Sequence, residues 1–310
     1  MAATVQFDND ALNAALKSMW GQYRTWAVTS QRYKGEVSRW RNIVLVLSIS
    51  GAILGTLSHQ LPTWGLAMAQ SWWGPGLGFT SGVALGLAAF FTREIFSPDP
   101  EGRAVRARAA AEAFKSQAYL MATGAPPYDT TSTQTDLYAK QDKVKKAVEN
   151  LTSATLRPEQ KLERIISAPM TVEDYVKQRV DDQIMYFRNS AIANEKIIAN
   201  STLLSWIFGG AGVVLGFIAT QRPSAAAWVA VIGTITAAIA AKQYSGRYQF
   251  LILTYQAAME ELEELKNRWD GEHKQLSVVA DRKLILAVEQ VISSVNSAWM
   301  LEWSKKSDKP

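Results

Sequence analysis

Residues 42–61 read NIVLVLSISGAILGTLSHQL, a run with no Lys, Arg, Asp or Glu. A helix that crosses a bilayer needs about 20 predominantly apolar residues, and this run has that length. The charge-free stretch continues to Thr92, with His59 as its one ionisable side chain. It holds two possible passes, Asn42–Leu61 and Gly76–Thr92, separated by Pro62, Gly74 and Pro75. A second region, Ile197 to Ala241, carries one formal charge, Arg222. Its passes are Leu203–Thr220 and Ala225–Ala241, joined by Gln221-Arg222-Pro223-Ser224. Soluble core helices seldom run so far without a charge. The sequence predicts an all-α integral membrane protein with four spans in two hairpins.

The average composition hides this division. Across 310 residues the chain is 48% hydrophobic and 20% charged. It has no cysteine, which leaves out a disulfide framework, a zinc–thiolate site and a thiol nucleophile. Net charge is +5 and the pI about 9.2. That balance does not point to nucleic acid, because many of the cations flank the apolar runs. Lys34, Arg39 and Arg41 precede the first span; Arg93, Arg103, Arg106 and Arg108 follow the second. Arg188 and Lys196 precede the third; Lys242 and Arg247 follow the fourth. Loops left in the cytoplasm are rich in Lys and Arg, so both termini and the middle segment are expected there. Trp64, Trp72, Trp73 and Trp228 lie at the hairpin tips, and Trp40 and Tyr244 at the opposite ends. Such rings favour the membrane–water interface. Residues 1–41 are polar and precede the first apolar run, which disfavours a cleavable signal.

Long polar helices are predicted to extend the spans. Residues 8–41 read as a helix leading into the first, and 102–122 as an Ala-rich helix after the second. Gly124, Pro126, Pro127 and a Thr/Ser run mark a loop over 122–135. Asp136–Leu151 and Pro158–Ile166 are short helical candidates. Thr171 with Asp174 has the form of a capping box. It opens a helix whose apolar positions Val172, Val176, Val180, Ile184 and Phe187 run toward the third span.

Beyond the fourth span, Tyr244, Tyr248, Leu251, Tyr255, Ala258, Leu262, Leu265 and Trp269 alternate at spacings of about four and three, a heptad-type seam. Gly271 is the expected stop. A last helix, Val278–Trp303, offers Ile285, Val288, Ile292, Val295, Trp299 and Trp303 to that seam. The predicted organisation is a first unit over 1–122, a linker with short helices over 123–170, and a second unit over 171–310.

SGAILG at 50–55 is echoed by AGVVLG at 211–216. Gly51 and Gly55, like Gly212 and Gly216, stand four apart, as do Gly78, Gly82 and Gly86. Small residues at that spacing let helix backbones approach closely in lipid. Two matched copies suggest a parallel internal repeat. The hydroxyls Ser48, Ser50, Thr56, Thr80, Ser81, Ser205, Thr234 and Thr236 can bond between helices or line a pore.

Signs of catalysis are weak. His59 and His273 are isolated, and Glu173, Asp174, Asp181 and Asp182 read as a solvated helix face. There is no phosphate loop, nucleophile elbow or HExxH. The expectation is a protein that is not an enzyme, with no cofactor and no metal.

The layout resembles a tandem SLATT protein, a two-transmembrane effector associated with SMODS and SLOG proteins. The likeness rests on ANEKIIANS (193–201), AAKQYSGRYQFLILTYQAAMEELEELKNRW (240–269) and VEQVISSVNSAWMLEW (288–303). In the first half it rests on YRTWAVTSQRYKGEVSRWRNIVLVLSISGAILG (23–55). The resemblance implies a bacterial inner-membrane effector that oligomerises and opens pores in conflict or antiviral systems. Its trigger would be a nucleotide second messenger or a sensor protein acting on the cytoplasmic helices. The seam would serve cytoplasmic assembly, and Arg103, Arg106, Arg108 and Lys115 are candidate nucleotide or anion contacts. A membrane-anchored helical scaffold and a channel for a routine solute are the alternatives.

Overall fold

The computed structural model describes residues 9–62, 73–96, 100–128, 142, 146, 148–156, 166, 168–273 and 278–304. Among them all regular structure is helical. α1 spans Asn9–Gln60, α2 Trp73–Phe96 and α3 Pro100–Thr123. α4, Val172–Tyr175, continues through a π turn at Val176–Val180 into α5, Asp181–Ala219. α6 is Ser224–Ser245, α7 Tyr248–His273 and α8 Val278–Ser304.

α1 is one helix of 52 residues, so the first polar helix and the first span are continuous as predicted. The Thr171 hydroxyl accepts from the Asp174 amide at 3.1 Å and caps α4. Gly124 adopts φ +61° just past α3. Its amide bonds the Met121 carbonyl at 3.2 Å, and the next amide bonds Leu120 at 3.0 Å. This is a Schellman stop, which a residue with a Cβ would strain.

Two boundaries differ from expectation. α7 runs through Gly271 to His273, because glycine weakens a helix without forbidding it. The seam helix does not continue from α6: Gly246 and Arg247 form a turn, with Arg247 at φ 49°. Of the predicted 136–151 helix, Asp142 and Lys146 are helical and Val148–Asn150 form a turn. Nearly all of the 158–166 helix, the tip residues Trp64 and Trp72, and the side chains of His273 and Trp303 lie outside the described residues.

The chain forms two compact units, each drawn from both sides of the 123–170 segment. One comprises 1–35, 99–191 and 253–310; the other comprises 36–98 and 192–252. The first is a helical bundle. Trp26 and Tyr33 of α1 pack on Ala107, Ala110, Ala111 and Phe114 of α3, with Val148 and Leu151. The alanines make α3 smooth enough to take those rings. The segment after Leu151 is pinned to α1: the Ala154 amide donates to the Thr29 hydroxyl at 2.8 Å. The Tyr33 hydroxyl donates to the Thr152 carbonyl at 3.0 Å.

The second unit holds the charge-poor helices. Among the described residues, five helical stretches are long and apolar enough to cross a membrane: Leu12–Gln60, Trp73–Arg93, Val172–Ala219, Ser224–Gly271 and Val279–Glu302. Four contain the predicted spans. The fifth, α8, directs Leu284, Ile285, Val288, Val291, Ile292 and Val295 into the bundle core, so its apolar side chains already have protein partners.

Candidate functional site

In the bundle, a group of charged and aromatic side chains gathers where α3, the π turn and α8 meet. Val176, Val180, Ile184 and Phe187 are buried, as their spacing predicts. Arg179 shares the face of Val176 and Val180 and is drawn inside with them, its side chain 0% exposed. π turns are rare and concentrate at functional sites. Arg179 meets Glu289 of α8 in a two-point pair, Nε to Oε1 at 2.9 Å and Nη2 to Oε2 at 3.0 Å. The Tyr175 hydroxyl donates to Glu289 Oε1 at 2.9 Å. Glu112 of α3 lies 3.5 Å from Arg179 Nη1. The Tyr119 ring lies 5.1 Å beneath the guanidinium, and the Tyr119 hydroxyl donates to the Gln178 carbonyl at 3.1 Å.

Electrostatics hold this arrangement in its charged form. Burial pushes the Glu289 carboxyl up, but the Arg179 guanidinium and hydrogen bonds from Ser116 and Tyr175 outweigh it, leaving the carboxyl below its ordinary range. Burial opposes the Arg179 charge, and Glu289 more than restores it. Burial raises the Tyr175 phenol well above 10, with Glu289 adding to the effect. Burial likewise raises Tyr119 to about 12.

The four predicted anion contacts do not converge. Arg106 is exposed and bonds the Gly102 carbonyl of its own helix at 3.4 Å. Arg103 stacks on Tyr33 at 5.1 Å. Arg108 lies over Trp299 at 4.4 Å and Tyr186 at 5.5 Å. Lys115 covers the Tyr23 ring at 5.3 Å. Burial holds the Lys115 ammonium below its ordinary value, and Arg179 adds to that. Arg108, Glu112 and Lys115 recur at helical spacing, which puts them on the side of α3 that faces the ion pair.

Much of the seam is filled by its own chain. Leu251, Tyr255, Ala258, Leu262 and Trp269 are buried, Tyr248 and Leu265 half-buried, and Tyr244 88% exposed. Tyr255 stacks on Phe187 at 5.5 Å and meets Trp299 at 6.0 Å. The Trp269 indole donates to Asp281 at 2.7 Å. Ile285, Val288, Ile292 and Val295 of α8 are buried, as the sequence expected. Among the acids, Asp181 pairs with Lys266 at 2.6 Å.

Among the charge-poor helices, the glycines divide. A Cβ on Gly51 would sit 2.7 Å from Leu85 Cγ, and one on Gly55 2.8 Å from Ser81 Oγ. The Ser81 hydroxyl donates to the Gly51 carbonyl at 2.7 Å, so it is an interhelical bond. A Cβ on Gly78 would meet Ser58 Oγ at 3.0 Å. Gly82, Gly86 and Gly216 face open space, and Gly212 makes ordinary contact with Ile232 at 3.4 Å. Close packing thus concentrates between α1 and α2, and the AGVVLG copy does not reproduce it. Thr80, Ser205, Thr234 and Thr236 bond carbonyls one turn back in their own helices.

Gln60 ends α1 fully buried. Its Nε2 donates to the Ser224 carbonyl, and its Oε1 accepts from the Trp228 indole at 3.0 Å. α1 thereby packs on α2 and, in antiparallel sense, on α6. Sequence pattern does not reveal this contact, since Gln60 lies within the charge-free run 42–61 and its partners are 164 and 168 residues away.

Residues 175–299 match the family model of SMODS and SLOG-associating 2TM effector domain 1. This stretch is similar to that SLATT domain. Residues 22–136 match a second family, described as a protein of unknown function, DUF4231. No curated protein and no solved structure matches the chain. The matched stretch contains α5 and α6, two of the helices long and apolar enough to cross a membrane. Arg179 and Glu289 both belong to the SLATT-like stretch, and Glu112 and Tyr119 come from the DUF4231 stretch. This buried ion pair is therefore internal to the SLATT-like stretch, with Glu112 and Tyr119 of the other matched region packed against it.

Proposed function

We propose that this protein is a non-enzymatic effector of the bacterial inner membrane that oligomerises and permeabilises it. Both termini and the helical bundle lie in the cytoplasm, where a nucleotide signal or a partner protein triggers opening. The observation that carries this reading is the apolar surface of α5. None of its most apolar window is buried within the chain. Trp206 is 77% exposed, Val213 75% and Phe217 69%. Lipid solvates such a surface, and a second copy can cover it. α5 also runs without a break from the Arg179 turn to Ala219, so a rearrangement at the ion pair acts on the same helix that enters lipid. A two-state packing biased by a ligand is enough to couple them.

The test is induced expression in a bacterial host, with a potential-sensitive dye and a dye excluded by intact membranes. The reading expects depolarisation and dye entry, both abolished by Gly51→Ile. Because the chain has no cysteine, Arg222→Cys and Asp270→Cys report topology directly. An impermeant maleimide added outside should label the first and spare the second. Normal potential at high expression, or the reverse labelling, would overturn the reading.

A further inference from the structure

We propose that the junction of α1, α6 and α7 binds the phosphate of an anionic phospholipid headgroup through Arg41, Lys242 and Arg247. The three cations come from three elements and are brought together by cross-contacts. Arg41 of α1 donates from Nη2 to the Ser245 carbonyl at the end of α6, at 3.5 Å. Lys242 Nζ donates to Asn42 Oδ1 at 3.4 Å. Arg247 lies near enough to Arg41 for their charges to oppose each other. Burial holds the Arg41 guanidinium below its ordinary value, Tyr248 pulls the other way, and Arg247 adds to the lowering.

Arg247 also sits at φ 49°, a left-handed conformation that costs an arginine and suits glycine. Glycine is its neighbour at 246, yet the strained position carries the cation. Such outliers persist where the residue has a task. The height in the membrane fits as well. The apolar run of α1 begins at Asn42, and that of α6 ends at Ala241. The cluster therefore stands where lipid phosphates lie, beside Tyr244, 88% exposed in an interfacial position. Basic pockets between spans at the cytoplasmic side are suited to anionic headgroups.

The site requires only that these helices lie in lipid, not that the protein leaks ions. The experiment is native mass spectrometry of the full chain in detergent, titrated with phosphatidylglycerol or phosphatidylethanolamine. Phosphatidylglycerol should be retained preferentially. Each cation near an anionic surface contributes about a fivefold effect, so Lys242→Gln with Arg247→Gln should weaken retention about 25-fold. Arg247→Gly eases the backbone while removing the charge; it should lose about fivefold without losing thermal stability. Arg222→Gln, at the opposite tip, should change nothing. Equal retention of both lipids, or an unaffected double variant, would overturn the site even if the protein permeabilises vesicles. Displacement of the lipid by inorganic phosphate at equal concentration would overturn the lipid as its source. A clear lipid preference in a protein that leaks nothing leaves the site standing and counts against the pore.

Discussion

Removing Glu289 should be among the most destabilising single changes in the bundle. The Arg179 side chain is 0% exposed and that of Glu289 6%. Glu289→Ala takes away both strong bonds to the guanidinium and leaves Glu112 at 3.5 Å. It also strands the Tyr175 hydroxyl, which donates to Glu289 at 2.9 Å. Opposite charges about 4 Å apart attract by about 4 kcal/mol at an effective dielectric of 20. Loss of one partner of a buried pair typically costs about 3–5 kcal/mol. Equilibrium unfolding of the full chain in mixed micelles, followed by circular dichroism, should show a loss in that range. Arg179→Met with Glu289→Leu and Tyr175→Phe removes the pair and the phenol together, leaving only the Ser116 hydroxyl and the part-exposed Glu112 without their former partners, and should recover part of the loss, since replacing a buried pair by apolar groups is often neutral. Arg268→Ala, which breaks a pair exposed at 60% and 70%, should cost less than about 1 kcal/mol. A Glu289→Ala loss no larger than that of Arg268→Ala would refute the reasoning, as would a triple variant no better than the single one. The sign with pH follows. Glu289 titrates below its unfolded value of about 4.3, so its contribution is full above that pH and is lost as pH falls through the folded value.

Gly51→Ala and Gly55→Ala should each destabilise the α1–α2 hairpin by about 1–3 kcal/mol through overpacking. Gly82→Ala and Gly86→Ala, which meet nothing within 4 Å, should be neutral or slightly stabilising in the same unfolding assay. Gln60→Leu leaves the Trp228 N–H and the Ser224 carbonyl without their partner and should cost about 1–3 kcal/mol; no loss would mean that the clamp is not used. Burial raises the phenols of Tyr119 and Tyr128 to about 12, Tyr175 well above 10, and Tyr255 likewise. Stability from these neutral phenols is full below about pH 10 and falls as pH rises through the folded values. At about pH 11, at least those four should stay protonated in the native chain and ionise in guanidinium, read as phenolate absorbance.

The long apolar helices were legible because they depend on local pattern. Long charge-free runs, the Thr171 cap and the Val176–Phe187 period each act within one or two turns, and the structure keeps them. The site was legible only in pieces. Val176 and Val180 predicted a buried stripe, but not that it carries Arg179 inward, because a polar helix sequence does not name the partner that neutralises a charge. Glu289 stands on the face of Ile285, Val288 and Ile292. A lone acid on an apolar face was the available signal. Arg108 and Lys115 were picked out for their charge, and the structure turns both onto aromatic rings of the same chain. The glycine copies look equivalent in sequence and differ in space, because close approach depends on the neighbouring helix. α1 has Ser81 and Leu85 against its glycines, whereas Gly216 has nothing.

The most direct test of the central claim is ion leakage from sealed vesicles containing the purified full chain, with a trapped fluorescent indicator and no other protein. The account predicts leakage that rises more steeply than linearly with protein per vesicle. It should be lost in Gly51→Ile and retained in Gly82→Ala. Vesicles that stay sealed at every protein density, with and without candidate nucleotides, would contradict it.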